Sequence, residues 1–500
     1  MIDIAEIVAY FSLAVLVYYF LLELSKPKTG AQNWITWIFI IGLLLVGGYW
    51  LYKSSATDQS STTTNTQIPQ DNSDPDEVSE EIPEEPEIYI PSDYTPLNRD
   101  FAILNEKKNH DDLITYQDFK FWYLSPEFLD KFTRATATSL KLKRARLAAV
   151  KKRYVADLAI LQKGDKPKRG LAGMLRDLDR HDDSKLIEET IEKLDVLMKE
   201  AKEIEENISL DITRKNLISA LTDKENGIDS LIGMDTVKDF LARKLYTFAE
   251  NPRIFFSSFQ NIQLYGVAGI GKTKVAQVIG HVYASSGILI RNHVQMATSS
   301  ELTTAYVNES SKKTRKLLLS NLESVVFIDE AYGMTPPPNI LGDNGHDHGH
   351  EAVTELVNFT DKMMGLSIII VAGYKDEMEE RFMKANQGIP SRFPITIALP
   401  LYTSRELTQI LTLVLLKKSP GLTINSEQGN YLYTIIDYVY KQYPDAFKGQ
   451  GRDMINLSGH LAEAICSIPG KTWKNYSEDL ILSGINSYLA LKGHSVEELD

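Results

Sequence analysis

The sequence predicts an α/β protein: a parallel sheet carrying a phosphate-binding loop, followed by a helical lid and preceded by transmembrane helices, a disordered linker and a helical region. Three observations predict the core. A short apolar strand pattern, Asn261–Tyr265, runs straight into Gly266-Val267-Ala268-Gly269-Ile270-Gly271-Lys272-Thr273. A second apolar run, Val325–Ile328, ends in the paired acids Asp329-Glu330. Beyond residue 402 the apolar spacing is helical, over Ser404–Leu416, Gln428–Tyr440, Arg452–Ile468 and Glu478–Leu491.

Bulk composition narrows the classes. The length of 500 residues allows two to four domains. A net charge of −13 argues against the whole chain coating nucleic acid, which needs a basic surface. Cys466 is the sole cysteine, so no intrachain disulfide and no cysteine zinc cluster can form, and a reducing compartment is permitted.

Residues 1–52 read as a membrane anchor. No charge interrupts Ile7–Leu22 or Thr29–Tyr52, and Trp34, Trp37, Tyr49, Trp50 and Tyr52 cluster near the ends of the second run. A span needs about 20 apolar residues with interfacial aromatics; the second run meets this and the first is short. Asp3 and Glu6, with no base before them, do not suit a signal peptide. The expected localisation is therefore a two-span membrane protein, hairpinned through Glu23–Asn33, with residues 211–500 facing the cytoplasm or an equivalent compartment.

Residues 53–98 read as a disordered tether. Nine acids and no base lie between Asp71 and Glu87, with Pro75, Pro83 and Pro86 among them. Residues 99–210 read as helical, as a hairpin or short coiled coil. Lys141–Arg169 holds eleven Lys or Arg against two Asp, and Leu186–Ile208 is acidic with Ile187, Ile191, Leu194, Leu197, Ala201 and Ile204 at helical spacing. The basic stretch either pairs with that acidic helix, the simpler reading, or touches lipid head groups, RNA or DNA.

The chemistry sits in residues 211–402, expected to form the nucleotide-binding domain, with residues 403–500 as the lid. In Gly266–Thr273 the glycines let backbone N–H groups curl toward a phosphate, and the following helix aims its positive end there. Lys272 would bridge the outer phosphates of ATP, and Thr273 would offer a hydroxyl to Mg²⁺. Asp329 would hold Mg²⁺, and Glu330 would polarise the attacking water. The histidines of Gly342–His350 alternate with glycine or aspartate; that pattern reads as a solvated loop rather than a metal site, because it lacks a second shell.

Leu231-Ile232-Gly233-Met234, the Gly266–Thr273 loop, Phe327-Ile328-Asp329-Glu330-Ala331-Tyr332, Gly349-His350-Glu351-Ala352, Val371-Ala372-Gly373-Tyr374-Lys375-Asp376 and Ser391-Arg392-Phe393 together resemble the AAA+ branch that contains red-type rubisco activase and the stage V sporulation protein K group. The resemblance covers about residues 225–490 and leaves residues 1–210 unexplained. It implies an AAA+ core, ATP and Mg²⁺ as cofactors, and a ring of identical subunits, expected to be a hexamer. It implies that Ile232 and Gly233 pack on the adenine, that Arg392 is the finger reaching the neighbouring subunit's site, and that Arg452 is the lid's sensor arginine. Tyr306 matches the branch's aromatic pore loop, which would grip a polypeptide. Two departures stand out: strand Ile368–Val371 ends in Ala372-Gly373-Tyr374 without a polar sensor, and Pro390 replaces the branch's arginine two residues before Arg392.

The function expected is a membrane-anchored AAA+ ATPase that remodels or threads a protein partner. The alternatives are a nucleic-acid motor or packaging ATPase using the basic stretch, and a membrane scaffold whose assembly is controlled by nucleotide.

Overall fold

A computed structural model describes residues 113–163, 180–304, 309–335, 348–418, 422–466 and 477–494. The two apolar runs of residues 1–52, the linker 53–98, Tyr306 and most of the histidine-rich loop lie outside them. In chain order the principal helices and strands are α1 (Tyr116–Trp122), α2 (Pro126–Lys163), α3 (Arg180–Asn207), α4 (Leu210–Thr222), α5 (Asp235–Glu250), β1 (Ile262–Tyr265), α6 (Lys272–Ser285), β2 (Val294–Thr298), α7 (Glu309–Ser320), β3 (Val325–Asp329), α8 (His348–Lys362), β4 (Ile368–Gly373) and β5 (Ile395–Ala398). The C-terminal helices are α9 (Ser404–Lys418), α10 (Ser426–Gln442), α11 (Gly451–Cys466) and α12 (Glu478–Ala490). These last four coincide within a few residues with the helices expected from periodicity.

The strands form one parallel sheet in the order β2-β3-β4-β1-β5. Strand β4 lies between β1, which leads into the glycine loop, and β3, which ends in the acids. Side chains alternate across the sheet, as strand geometry requires. Ile262, Leu264, Val325, Phe327, Ile368 and Ile370 enter one core; Tyr265, Val326, Ile328, Ile369 and Val371 enter the other. Both faces are covered, which is why β3 and β4 read as unbroken apolar runs.

Helix α2 opens with proline at its first position, where no N–H is missed. It buries Leu129, Phe132, Thr136, Ser139, Lys143, Leu147, Val150 and Tyr154, a stripe at three- and four-residue steps flanked by Phe128, Ala135 and Leu140. Arg144 pairs with Glu205 at 2.8 Å and Lys151 with Asp195 at 2.7 Å. These rungs run in opposite directions along α2 and α3, so the two helices form the antiparallel hairpin expected. Within the described part of the basic stretch, Lys141, Arg144 and Lys151 thus pair with the acidic helix. Lys143 goes further: its side chain is 0% exposed and bonds Glu323, also 0% exposed, in the turn before β3.

The membrane localisation expected above is corrected. Among the described residues no helix is long and apolar enough to cross a membrane. Helices α2 and α3 exceed the length of a span, but their charged side chains recur at nearly every turn. The residues that prompt the expectation, 1–52, lie outside the described ones.

Candidate nucleotide site

The site forms where β1, β3 and β4 end on the same edge of the sheet. All of β1 is buried, so Gly266 leaves it at a fixed position, tied by its N–H to Gly373 O of β4 at 3.2 Å. The loop closes at Gly271, the left-handed residue that caps α6. The first-turn N–H groups of α6 then face outward without helical partners, with the positive end of the dipole behind them. Lys272 folds its ammonium back over the loop, donating to Gly266 O at 3.0 Å and Val267 O at 3.2 Å. It also lies 5.4 Å above the Tyr374 ring.

The acids arrive from β3. Asp329 Oδ1 accepts the N–H of Glu330 at 3.0 Å. Glu330 has φ +48°, a conformation that costs a non-glycine residue about 1–3 kcal/mol and persists only where surroundings impose it. The charges here feel one another. Burial holds the Lys272 ammonium below its usual range, Asp329 and Glu330 oppose that shift, and Arg452 adds to it. One lysine, two carboxylates and one arginine thus share a single field.

Arg452 reaches the site because the lid packs on the loop. Gly269 has φ +74°, and a Cβ there would stand 2.0 Å from Gly449 O and 2.9 Å from Arg452 Cβ. Gly451 N–H donates to Gly269 O at 3.1 Å. On the other flank, Ile232 and Gly233 precede Met234, the left-handed cap of α5. Met234 Cε approaches Gly271, and Gly233 lies against Glu406 in the first turn of α9. The structure therefore gathers Gly266–Thr273, Asp329, Glu330, Arg452 and the Ile232–Gly233 segment.

It does not bring Arg392 there. Arg392 ends the short turn Ile389–Arg392 before β5, and its carbonyl accepts from Asn261 Nδ2 at 2.9 Å, just ahead of β1. This is the opposite edge of the sheet. Its guanidinium grips Asp361 with two bonds of 3.0 and 2.9 Å and stacks 5.8 Å from the Phe259 ring. The Asp361 bond raises its pKa further.

Sequence reasoning missed several residues around the site. Tyr332 and Tyr374 face each other at 6.2 Å, and Arg381 stacks on Tyr332 at 5.2 Å while donating to Thr335 O. Tyr402 and Gln450 connect loop and lid. Tyr332 and Tyr374 stand inside the motif segments quoted above without a role that the sequence assigns, and no local pattern marks Arg381, Tyr402 or Gln450, whose partners across the site are remote in sequence. Among the described residues no cluster of three or more His, Cys, Asp or Glu stands ready for a metal.

Residues 262–401 match the model of the ATPase family associated with various cellular activities (AAA). The chain carries an AAA ATPase domain. Its chemistry is ATP hydrolysis. A rubisco activase, chloroplastic, of Cyanidioschyzon merolae is 29% identical over 257 residues, which cover 48% of this chain and 82% of that protein. A CfxQ homolog of Galdieria sulphuraria is 29% identical over 266 residues, covering 51% and 82%. The stage V sporulation protein K of Bacillus subtilis is 29% identical over 224 residues, covering 43% and 67%. The AAA domain implies that ATP is bound. The glycine loop opening a helix, the ammonium folded over it and the two acids suit a triphosphate: a cradle of N–H donors and a cation for its charge, with Asp329 beside it as an oxygen ligand of the kind Mg²⁺ takes.

Proposed function

We propose that this chain works as a ring of AAA subunits, expected to be a hexamer, that couples ATP hydrolysis to remodelling or threading of a protein partner. Residues 211–402 bind and hydrolyse ATP, and residues 403–500 act as the lid. Lys272 holds the outer phosphates, Thr273 and Asp329 hold Mg²⁺, Glu330 orients the attacking water, and Arg452 reads the nucleotide from the lid. Ile232 and Gly233 flank the base. Bound ATP supplies the phosphoryl group and, with Mg²⁺, the charge that these residues are arranged to neutralise. Tyr306 grips the client.

One observation carries the ring. Arg392 sits at the start of β5, whereas the glycine loop sits at the far end of β1, about 10 Å along the strand. Anchored to Asp361, it points away from its own loop's edge. A finger role is open to it only toward another copy's nucleotide, where a cation is worth several orders of magnitude in rate. Similarity to rubisco activase supports a protein client but does not name it. The pairing of Lys141, Arg144 and Lys151 with α3 weighs against a nucleic-acid motor that uses these bases.

The test is subunit mixing. Lys272→Ala and Arg392→Ala should each be inactive alone. Mixed rings should regain turnover, because some interfaces then pair an intact loop with an intact finger. Mixed rings that form but never recover activity refute the assignment.

A further inference from the structure

Between the glycine loop and the lid runs a hydrogen-bonded relay that none of these roles uses. Tyr402 Oη donates to Ile270 O at 3.0 Å, inside the loop and two residues before Lys272. The N–H of Tyr402 donates to Gln450 Oε1 at 3.0 Å, and its carbonyl accepts from Tyr440 Oη at 3.2 Å. Gln450 Nε2 donates to Phe447 O at 3.0 Å. The next residue, Gly451, donates to Gly269 O at 3.1 Å, and Arg452 follows.

Both side chains are buried, so each bond is one whose loss leaves a polar group without water. Burial pushes the Tyr402 hydroxyl up to about 12, with Glu406 adding to it, so it remains a donor at any pH where ATP turnover is measured. Gln450 has φ +49°. A residue held in that region reports constraint from its surroundings, and here the constraint is two bonds on its side-chain amide. The relay runs beside the direct Gly451–Gly269 bond as a second, side-chain path from the loop to the backbone that carries Arg452, whose own side chain is exposed.

We propose that Tyr402 and Gln450 are positioning residues for ATP hydrolysis: they set where Arg452 stands over the phosphate loop and pass movement of the loop into the lid. This rests on the role of Arg452 proposed above. Neither residue touches the reacting atoms; both act through the arginine.

The experiment is a double-mutant cycle in the full chain. Tyr402→Phe keeps the ring and deletes only the bond to Ile270. It should lower kcat about 3–10-fold, the scale of one buried neutral hydrogen bond, with ADP affinity within about twofold of the parent. In an Arg452→Ala background the same change should lower kcat no further, because the residue it acts through is gone. Gln450→Gly, which accepts the positive φ, should show the same background dependence. An equal fall in both backgrounds marks a merely structural role and overturns the proposal. Full activity of Tyr402→Phe and Gln450→Gly beside a crippled Arg452→Ala overturns the relay alone. Full activity of Arg452→Ala overturns the parent reading and the relay with it.

Discussion

Replacing Lys143 by methionine should cost the fold about 3–5 kcal/mol at pH 8, the range for breaking a buried ion pair from one side. The structure explains the size. Lys143 and Glu323 are both fully buried; Glu323 Oε2 receives Lys143 and the Ile290 N–H at 3.2 Å, and Oε1 has no partner. Methionine fills much of the lysine volume but leaves a carboxylate with one backbone donor in an apolar site. Burial already raises the Glu323 pKa, and Lys143 is the main influence pulling it back. Without Lys143 it rises further above its unfolded value. The folded variant then binds a proton that the unfolded chain releases. That contribution is complete below the unfolded pKa, near 4.3, and is lost as pH rises through the raised folded one. The deficit against the parent should therefore widen from pH 5 to pH 8. Lys143→Met combined with Glu323→Gln keeps an acceptor for Ile290 and should recover part of the loss. Denaturant midpoints at three pH values, with hydrogen exchange along α2, measure this. A deficit below about 1 kcal/mol at pH 8, or one that grows on acidification, refutes the account.

Other predictions bear on the site. Lys272→Ala should abolish ATP binding, and Glu330→Gln should bind ATP yet turn over at least ~100-fold more slowly, the scale of a positioned base; nucleotide binding and phosphate release separate the two. Gly269→Ala places a methyl against Gly449 O at 2.0 Å and forces alanine to φ +74°, so the lid must withdraw and turnover should fall at least ~10-fold. Gly459→Ala is its control: nothing lies within 4 Å of the added carbon, and a helix gains up to ~1 kcal/mol from that change, seen as a higher melting temperature.

What was legible in the sequence was local. The glycine loop, the apolar run ending in Asp329-Glu330 and the helical spacing after Ser404 are patterns within about twenty residues, fixed by backbone chemistry. Strand order was not legible, because the insertion of β4 between β1 and β3 depends on crossovers that leave no local trace. In the sequence Lys143 is one of eleven bases in a stretch expected to pair with the acidic helix. Its partner lies 180 residues away, and nothing nearby distinguishes it from Lys141, which is exposed. Tyr402 and Gln450 escaped for the same reason. The membrane reading rests on uncharged runs and their flanking aromatics, in residues that the structure does not describe.

The relation of α2 to the sheet follows from these contacts. Thr136 and Ser139 bond Ser286 O and Gly287 O ahead of β2, Lys143 bonds Glu323 ahead of β3 and Gly365 O ahead of β4, and Arg146 bonds Phe256 O ahead of β1 and Met364 O ahead of β4. One helix thus ties down the chain just before it enters four of the five strands. Apart from the Glu323 carboxylate, these are carbonyls at or just after helix ends, at the edge away from the nucleotide loop, where the last C=O groups of a helix lack helical partners and need donors. Polar residues of α2 supply them, while its apolar residues complete both cores: Phe128, Leu129 and Phe132 on one side, Leu147, Val150 and Tyr154 on the other. The family match begins at residue 262, but the floor of the domain it names is made by residues 126–163. Whatever strain the loops at one edge of the sheet meet during ATP turnover is borne by what anchors the strands at the other.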